Sequence, residues 1–259
     1  MIEILIPAFV ISLVLLGIHS YFGIRIIQRN IIFTDLAIGQ MAALGAAISL
    51  IFFHGALLYI TSLLFSLFGG LIIYIVSKRS QHLEAFVGLL YAFGLSSVFI
   101  LLSKSPHGME EFQNMMAYDI LFTEMTVVYN IAILYMAIGF VIYFFNKWIK
   151  GPFNEILFFL TFAVTVTSSV QMAGVLVVFA ILLAPASIAI QIASLERIPM
   201  ILKKNPLILA WAIGIIINLI AIIISFLGDF PTGYTLVFIN ALMAVVVTMV
   251  IGGRFRRVL

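Results

Sequence analysis

ILFFLTFAVTVTSSVQMAGVLVVFAILLAPASIAIQIASL, residues 156–195, runs for 40 residues without a charged side chain. A helix needs about 20 apolar residues to cross the hydrocarbon of a bilayer. The stretch therefore has the length of two membrane spans, with Thr167-Ser168-Ser169-Val170-Gln171 read as the polar hairpin between them. A re-entrant pair has the same length and stays open as the alternative. The rest of the chain agrees. Of its 259 residues, 64% are hydrophobic and 9% charged, whereas a soluble domain is roughly 45–50% apolar and about 25% charged. A soluble fold of this size has too little interior to hide so much apolar surface. A soluble enzyme, a nucleic-acid-binding domain and a disordered chain are excluded. The net charge of +3 comes with no basic cluster long enough for nucleic acid. The absence of cysteine removes disulfides and thiolate metal sites.

Working outward from that stretch, short polar segments separate the other apolar runs. These cover residues 2–24, 33–53, 56–76, 85–102, 125–145, 207–227 and 234–251. With the two inside 156–195 they make nine expected spans. No basic segment precedes the first run, so it is expected to be a retained span and not a cleaved signal. Alternating sides places Arg25, Arg29, Lys78, Arg79, Lys147, Lys150, Arg197, Lys203, Lys204, Arg254, Arg256 and Arg257 together, which is 12 of the 13 basic residues, with Lys104 alone opposite. Basic residues concentrate on the cytoplasmic side of membrane proteins. The expectation is an all-α integral membrane protein forming one transmembrane domain over residues 1–259, with the N-terminus outside and the C-terminus cytoplasmic. Glu3, Glu110, Glu111, Asp119, Glu124 and Asp229 then fall outside, which with Lys104 gives that face −5. Such a face concentrates cations, although it is also what the topology rule alone produces.

The motifs of self-contained chemistry are missing. None of the six lysines follows a glycine, so no phosphate-binding loop exists. There is no His-Glu-x-x-His and no nucleophile elbow. The chain is expected not to be an enzyme, and ATP-driven work belongs to another chain. Ionisable groups within a membrane are functional candidates by default. Asp35 opens the second span, and at helical spacing from it come Gly39, Ala42, Ala46 and Ser49, a small-residue face that lines a path or packs closely. Its alternative role is a helix cap. Gln40 lies about 140° around the helix from Asp35, on a different face. His19, late in the first span, is a candidate metal ligand or a hydrogen-bonded packing residue. His54, at the outer end of the second span, has an interfacial position by default. Asp35, Gln40 and His19 are the candidate metal residues of a translocation path. His107, Glu110 and Glu111, with Asp229, are the candidates for an outer mouth, where oxygen and nitrogen ligands suit divalent cations or a solvated loop. Ala184-Pro185-Ala186 is expected to bend or break the seventh span, since proline removes a backbone donor.

Gly174-Val175-Leu176-Val177-Val178, leading to Leu183-Ala184-Pro185-Ala186-Ser187-Ile188-Ala189, resembles the Gly-Val-Leu-Leu-Val … Leu-x-Pro-Ala-Ala segment of the zinc/manganese/iron ABC transporter permease family. Leu83-Glu84-Ala85-Phe86-Val87-Gly88-Leu89-Leu90-Tyr91-Ala92-Phe93-Gly94, with Ser103-Lys104-Ser105-Pro106-His107-Gly108-Met109-Glu110, resembles the family's fourth span and outer loop. Arg29-Asn30-Ile31-Ile32-Phe33 with Ala42-Ala43-Leu44-Gly45-Ala46 is similar to the start of its second span, and Asp229-Phe230-Pro231-Thr232-Gly233 to its last outer turn. The resemblance implies a homodimeric permease with the helical fold of cobalamin importers, in the inner membrane lipid of a prokaryote. It further implies a cytoplasmic ABC ATPase that carries ATP and magnesium, and an extracellular or periplasmic metal-binding protein. No cofactor on this chain and no nucleic-acid partner are implied. The expected function is the permease subunit of a divalent metal importer, zinc or manganese. A stand-alone secondary transporter and a non-transporting membrane interaction subunit are the alternatives. Two departures stand out. Family members often carry Asp and His four residues apart where this chain has Leu36 and Gln40, and the inner loop that usually couples to the ATPase shrinks to residues 146–155.

Overall fold

Ten helices follow one another in the computed structural model, which describes residues 2–110, 112, 120, 123–148, 151–195 and 199–255. They are α1 (Ile2–Gln28), α2 (Thr34–Phe53), α3 (Leu58–Ser77), α4 (Leu83–Leu102), α5 (Met125–Trp148), α6 (Pro152–Ala173), α7 (Val175–Ala193), α8 (Met200–Lys204), α9 (Pro206–Gly228) and α10 (Thr232–Phe255). Among the described residues there is no strand. Among the described residues nine helices, all but α8, are long and apolar enough to cross a membrane, which bears out the expected span count. Glu111, Asp119, Lys150, Arg197, Arg256 and Arg257, used in reading the charges, lie outside the described residues.

The charge-free stretch divides elsewhere than expected. Thr167, Ser168 and Ser169 are buried inside α6, and the break falls at Gly174, with φ +77 and ψ 158. Hydroxyls explain the difference. Thr165 donates to the Thr161 carbonyl at 2.8 Å, Thr167 to Ala163 at 2.8 Å and Ser169 to Thr165 at 2.7 Å. Each side chain satisfies itself one turn back, so the run needs no water. Only glycine takes the left-handed φ of residue 174 without strain. Pro185 likewise leaves α7 unbroken from Val175 to Ala193, and it is buried with Ala184 and Ala186. The expected interruption of this span is a proline carried within a continuous helix.

The chain forms two compact units. One comprises Ile31–Tyr118 and Ile133–Val175, hence α2, α3, α4, most of α5 and α6. Its hub is α2, which packs on α3, α4 and α6, while α3 also packs on α6. Small residues permit the approach. A Cβ at Gly94 of α4 would lie 3.0 Å from the Gln40 Cβ, and one at Gly70 of α3 would lie 3.1 Å from the Phe159 carbonyl oxygen. The α3–α6 contact is filled by Tyr74 and Phe159, whose rings are 6.4 Å apart. Hydroxyls stitch the helices together: the Thr167 hydroxyl lies within hydrogen-bond distance of Ser66 Oγ of α3, and the Tyr135 hydroxyl of α5 pairs with Ser168 at 3.2 Å. Such bonds and close small-residue contacts hold helices together in lipid, where burial of apolar surface supplies no drive.

The other unit comprises Met1–Asn30, Asp119–Ala132 and Leu176–Leu259. Here α9 packs on α1 and α10. Ile24, Ala186, Ala189 and Ala210 form a cluster joining α1, α7 and α9, and the Trp211 indole donates to the Gly17 carbonyl at 3.0 Å. Asn218 and Asn240, both fully buried, join α9 to α10 through a hydrogen bond of 3.0 Å from Asn240 Nδ2 to Asn218 Oδ1. The pair is only partly satisfied, because Asn218 Nδ2 and Asn240 Oδ1 have no hydrogen-bond partner. Removing one amide strands the other, at a cost of about 1–2 kcal/mol, whereas removing both leaves no buried polar group. Asn240→Leu is therefore expected to lower the melting temperature in detergent. The Asn218→Leu, Asn240→Leu double variant should return close to the parent. An additive loss in the double variant would contradict the coupling.

Candidate translocation path

Asp35 takes its place from the turn that starts α2. Thr34 hydrogen-bonds the Ile31 carbonyl through its hydroxyl at 2.7 Å, so this side chain closes the turn and leaves the helix start without a side-chain cap. Asp35 follows in the first turn, 1% exposed, and neither carboxylate oxygen has a hydrogen-bond partner. The capping role is thereby set aside. A carboxylate in the first turn gains from the helix dipole, but burial without a partner costs several kcal/mol. Such a group is retained where a cation, water or substrate meets it.

The face at helical spacing from Asp35 is mixed. Ala42, Ala46 and Ser49 are buried, and Ser49 Oγ has no partner. Gly39 packs against valines, since a Cβ there would lie 3.6 Å from Val175 and 3.8 Å from Val170. Gln40 is not gathered with Asp35. Its Cβ and backbone seat Gly94 of α4, as the 140° offset along a regular helix requires. His19 is fully buried in the other unit and bonds through Nδ1 to the Leu15 carbonyl at 2.8 Å, the arrangement of a packing histidine. His54 caps the end of α2 in a left-handed conformation, φ 51, and is exposed.

The candidates for the outer mouth fall in two different units. His107 Nδ1 stands 3.9 Å from a Glu110 carboxylate oxygen, with both side chains about three-quarters exposed. Glu111 lies outside the described residues. Asp229 belongs to the other unit, exposed and left-handed at φ 52 after α9. Among the described residues no three His, Cys, Asp or Glu side chains form a group able to hold a metal ion.

Three features escaped the sequence reading. Glu84, in the first turn of α4, has a buried Oε2 without a partner, and so does Ser62 Oγ on α3. Lys78, the residue after α3, forms an ion pair with Glu155 in the first turn of α6. Their opposite charges at helix ends were visible in the sequence, but one-dimensional order does not pair loops. With side chains 43% and 37% exposed, this pair contributes no more than about 0.5 kcal/mol after solvent screening. Glu155→Lys alone should shift the melting temperature slightly downward, and adding Lys78→Glu should restore it at low salt. A double variant less stable than either single one would argue against the pairing.

Nine apolar helices among the described residues, with buried, unpartnered oxygens between them, describe a multi-span membrane protein. Residues 147–251 match the model of the ABC 3 transport family. The structure is similar to PsaBC from Streptococcus pneumoniae in complex with Fab, with 20% identity, a TM-score of 0.69, and 93% of this chain and 90% of that chain covered. It is also similar to a protein described as a metal-chelate type ABC transporter in an inward-facing conformation, with 12% identity, a TM-score of 0.62, and 96% and 85% coverage. No curated protein matches the chain. Two of the four motif segments, at 174–189 and 229–233, lie within the family match, and the fold is similar to that of the two ABC transporter structures.

Proposed function

We propose that the chain is the membrane-spanning permease subunit of an ABC importer for a divalent metal ion, zinc or manganese. The observation that carries the reading is the ABC permease fold together with the family match over residues 147–251. Two copies form the permease in the inner membrane of a prokaryote, with the N-terminus outside. A cytoplasmic ATPase binds ATP with magnesium, and a metal-binding protein delivers the cation from outside. ATP binding closes the ATPase pair and rocks the permeases between outward-open and inward-open states. The cation passes Asp35, whose unpartnered carboxylate supplies negative charge inside the membrane. The short α5–α6 loop leaves residues 194–206, which include α8, as the longest remaining inner segment for contact with the ATPase.

Reconstitution into proteoliposomes tests this. The permease with its co-expressed ATPase should take up manganese or zinc only when ATP and the delivery protein are present. Uptake by the chain alone under an ion gradient would favour a secondary transporter. A purified chain that binds no ATPase would favour an interaction subunit.

A further inference from the structure

We propose that the α3–α6 contact ends, on the side of Gly174, in a two-state latch that is open in this structure. A hydrogen bond from the Gln171 side-chain amide to the Ser62 hydroxyl closes it. The two helices run in opposite directions and meet along a seam that uses every fourth residue of each. Lys78, just beyond α3, pairs with Glu155 of α6, and Tyr74 faces Phe159 with ring centroids 6.4 Å apart. A Cβ at Gly70 would lie 3.4 Å from the Ala163 Cβ, and the Ser66 and Thr167 hydroxyls lie within hydrogen-bond distance. Residues four apart share one helix face, so the next rung falls to Ser62 and Gln171. That rung is not made. Ser62 Oγ and Gln171 Nε2 are both buried, and neither has a hydrogen-bond partner.

The other serines and threonines of α3 and α6 each donate to a carbonyl in the preceding turn, as Thr61 does to Leu57 and Ser169 to Thr165. Ser62 alone does not. A buried donor and a buried acceptor held apart oppose the state that separates them, and bringing them together satisfies both. The movement belongs to α6. A Cβ at Gly45 of α2 would lie 2.7 Å from the Ser62 Cα, so α2 holds this part of α3 in place. Three residues beyond Gln171 comes Gly174, whose φ of 77 and ψ of 158 are essentially confined to glycine. A Cβ there would meet nothing within 4 Å, so the joint has space as well as backbone freedom. The last turn of α6 tilts toward α3 to close the latch, with the Ser66–Thr167 rung as its fulcrum.

The chain has no cysteine, so paired cysteines test this without removal of a native thiol. Ser62→Cys with Gln171→Cys reports the closed latch, because a disulfide requires Cα atoms within about 7 Å. Ser66→Cys with Thr167→Cys is the control for a rung already made. In the purified full chain in lipid nanodiscs, mild oxidation should link the latch pair, but at least about threefold more slowly than the control. No link at the latch pair, or one as fast as the control, overturns the proposal. Ser62→Ala and Gln171→Leu give a check free of thiols. Neither breaks a bond in the open state, so each should leave the melting temperature level or higher. A clear fall in either shows the pair already bonded and overturns the open state. The place of the latch in the transport cycle rests on the importer reading above. In the complex with the co-expressed ATPase, trapping ATP with vanadate should change the linking rate of the latch pair about threefold or more, with the control unchanged. An unchanged rate overturns the coupling to ATP. A chain that binds no ATPase overturns the importer reading alone, since the isolated chain reads the latch without it.

Discussion

Gly45→Val is expected to prevent the chain from accumulating as folded protein, and Gly45→Ala to lower its melting temperature steeply. A Cβ at Gly45 would sit inside the Thr61 carbonyl of α3 and 2.7 Å from the Ser62 Cα. These are backbone atoms, so no rotamer change relieves the clash, and α2 and α3 must separate. The α2 helix also packs on α4 and α6, so its displacement loosens the whole unit. Overpacking a soluble core typically costs about 1–3 kcal/mol. A clash against backbone at the hub exceeds that range, and in lipid the lost close contact is the main source of helix association. Gly88 of α4 and Gly139 of α5 make the internal control, since a Cβ at either meets nothing within 4 Å. Alanine there should be neutral or raise stability by up to about 1 kcal/mol through helix propensity. Size-exclusion profiles and melting curves in detergent distinguish the cases. A Gly45→Val chain that melts with the parent would show that the α2–α3 contact is not as close as described.

Those glycines mark the limit of what the sequence makes legible. Charge made the spans readable: in a chain with 9% charged residues, each polar segment between apolar runs is a loop, and the nine runs correspond to nine long helices. Partners were not readable, because a helix apolar on every side has no face that announces its neighbour. Gly45 and Gly88 look alike in sequence, and only the structure sets one against backbone and the other in open space. The hairpin expected at Thr167–Gln171 failed for a related reason. Hydroxyl groups signal a turn in water, but in a membrane helix they bond the preceding turn, and the true break rests on the conformational freedom of Gly174. For the candidate site, Asp35 was identifiable because a carboxylate at a span end is rare and costly. Its burial without a partner depends on the Thr34 hydroxyl being used elsewhere, which no spacing reveals. Glu84 was passed over because an acid in a helix first turn matches ordinary dipole complementarity.

Asp35→Asn is expected to reduce ATP-driven metal uptake by at least about tenfold, equivalent to about 1.4 kcal/mol in the barrier, while the melting temperature of the complex stays level or rises. The two directions follow from one fact. Neither Asp35 oxygen has a hydrogen-bond partner, so the substitution breaks no bond and removes a charge whose burial at 1% exposure opposes folding. A carboxylate kept for architecture would behave in the opposite way. Its loss would orphan a donor and lower stability by about 1–3 kcal/mol, with transport falling only as folded protein falls. A residue held at a cost to stability and needed for activity separates the two readouts. Asp35→Glu adds a further distinction, since it preserves the charge and displaces it by about one methylene, so uptake should fall less than in Asp35→Asn. Initial uptake rates normalised to assembled complex, measured beside melting curves of the same preparations, resolve the alternatives. A destabilised Asp35→Asn complex with parental uptake per assembled unit would return Asp35 to a structural role and remove its place in the proposed path.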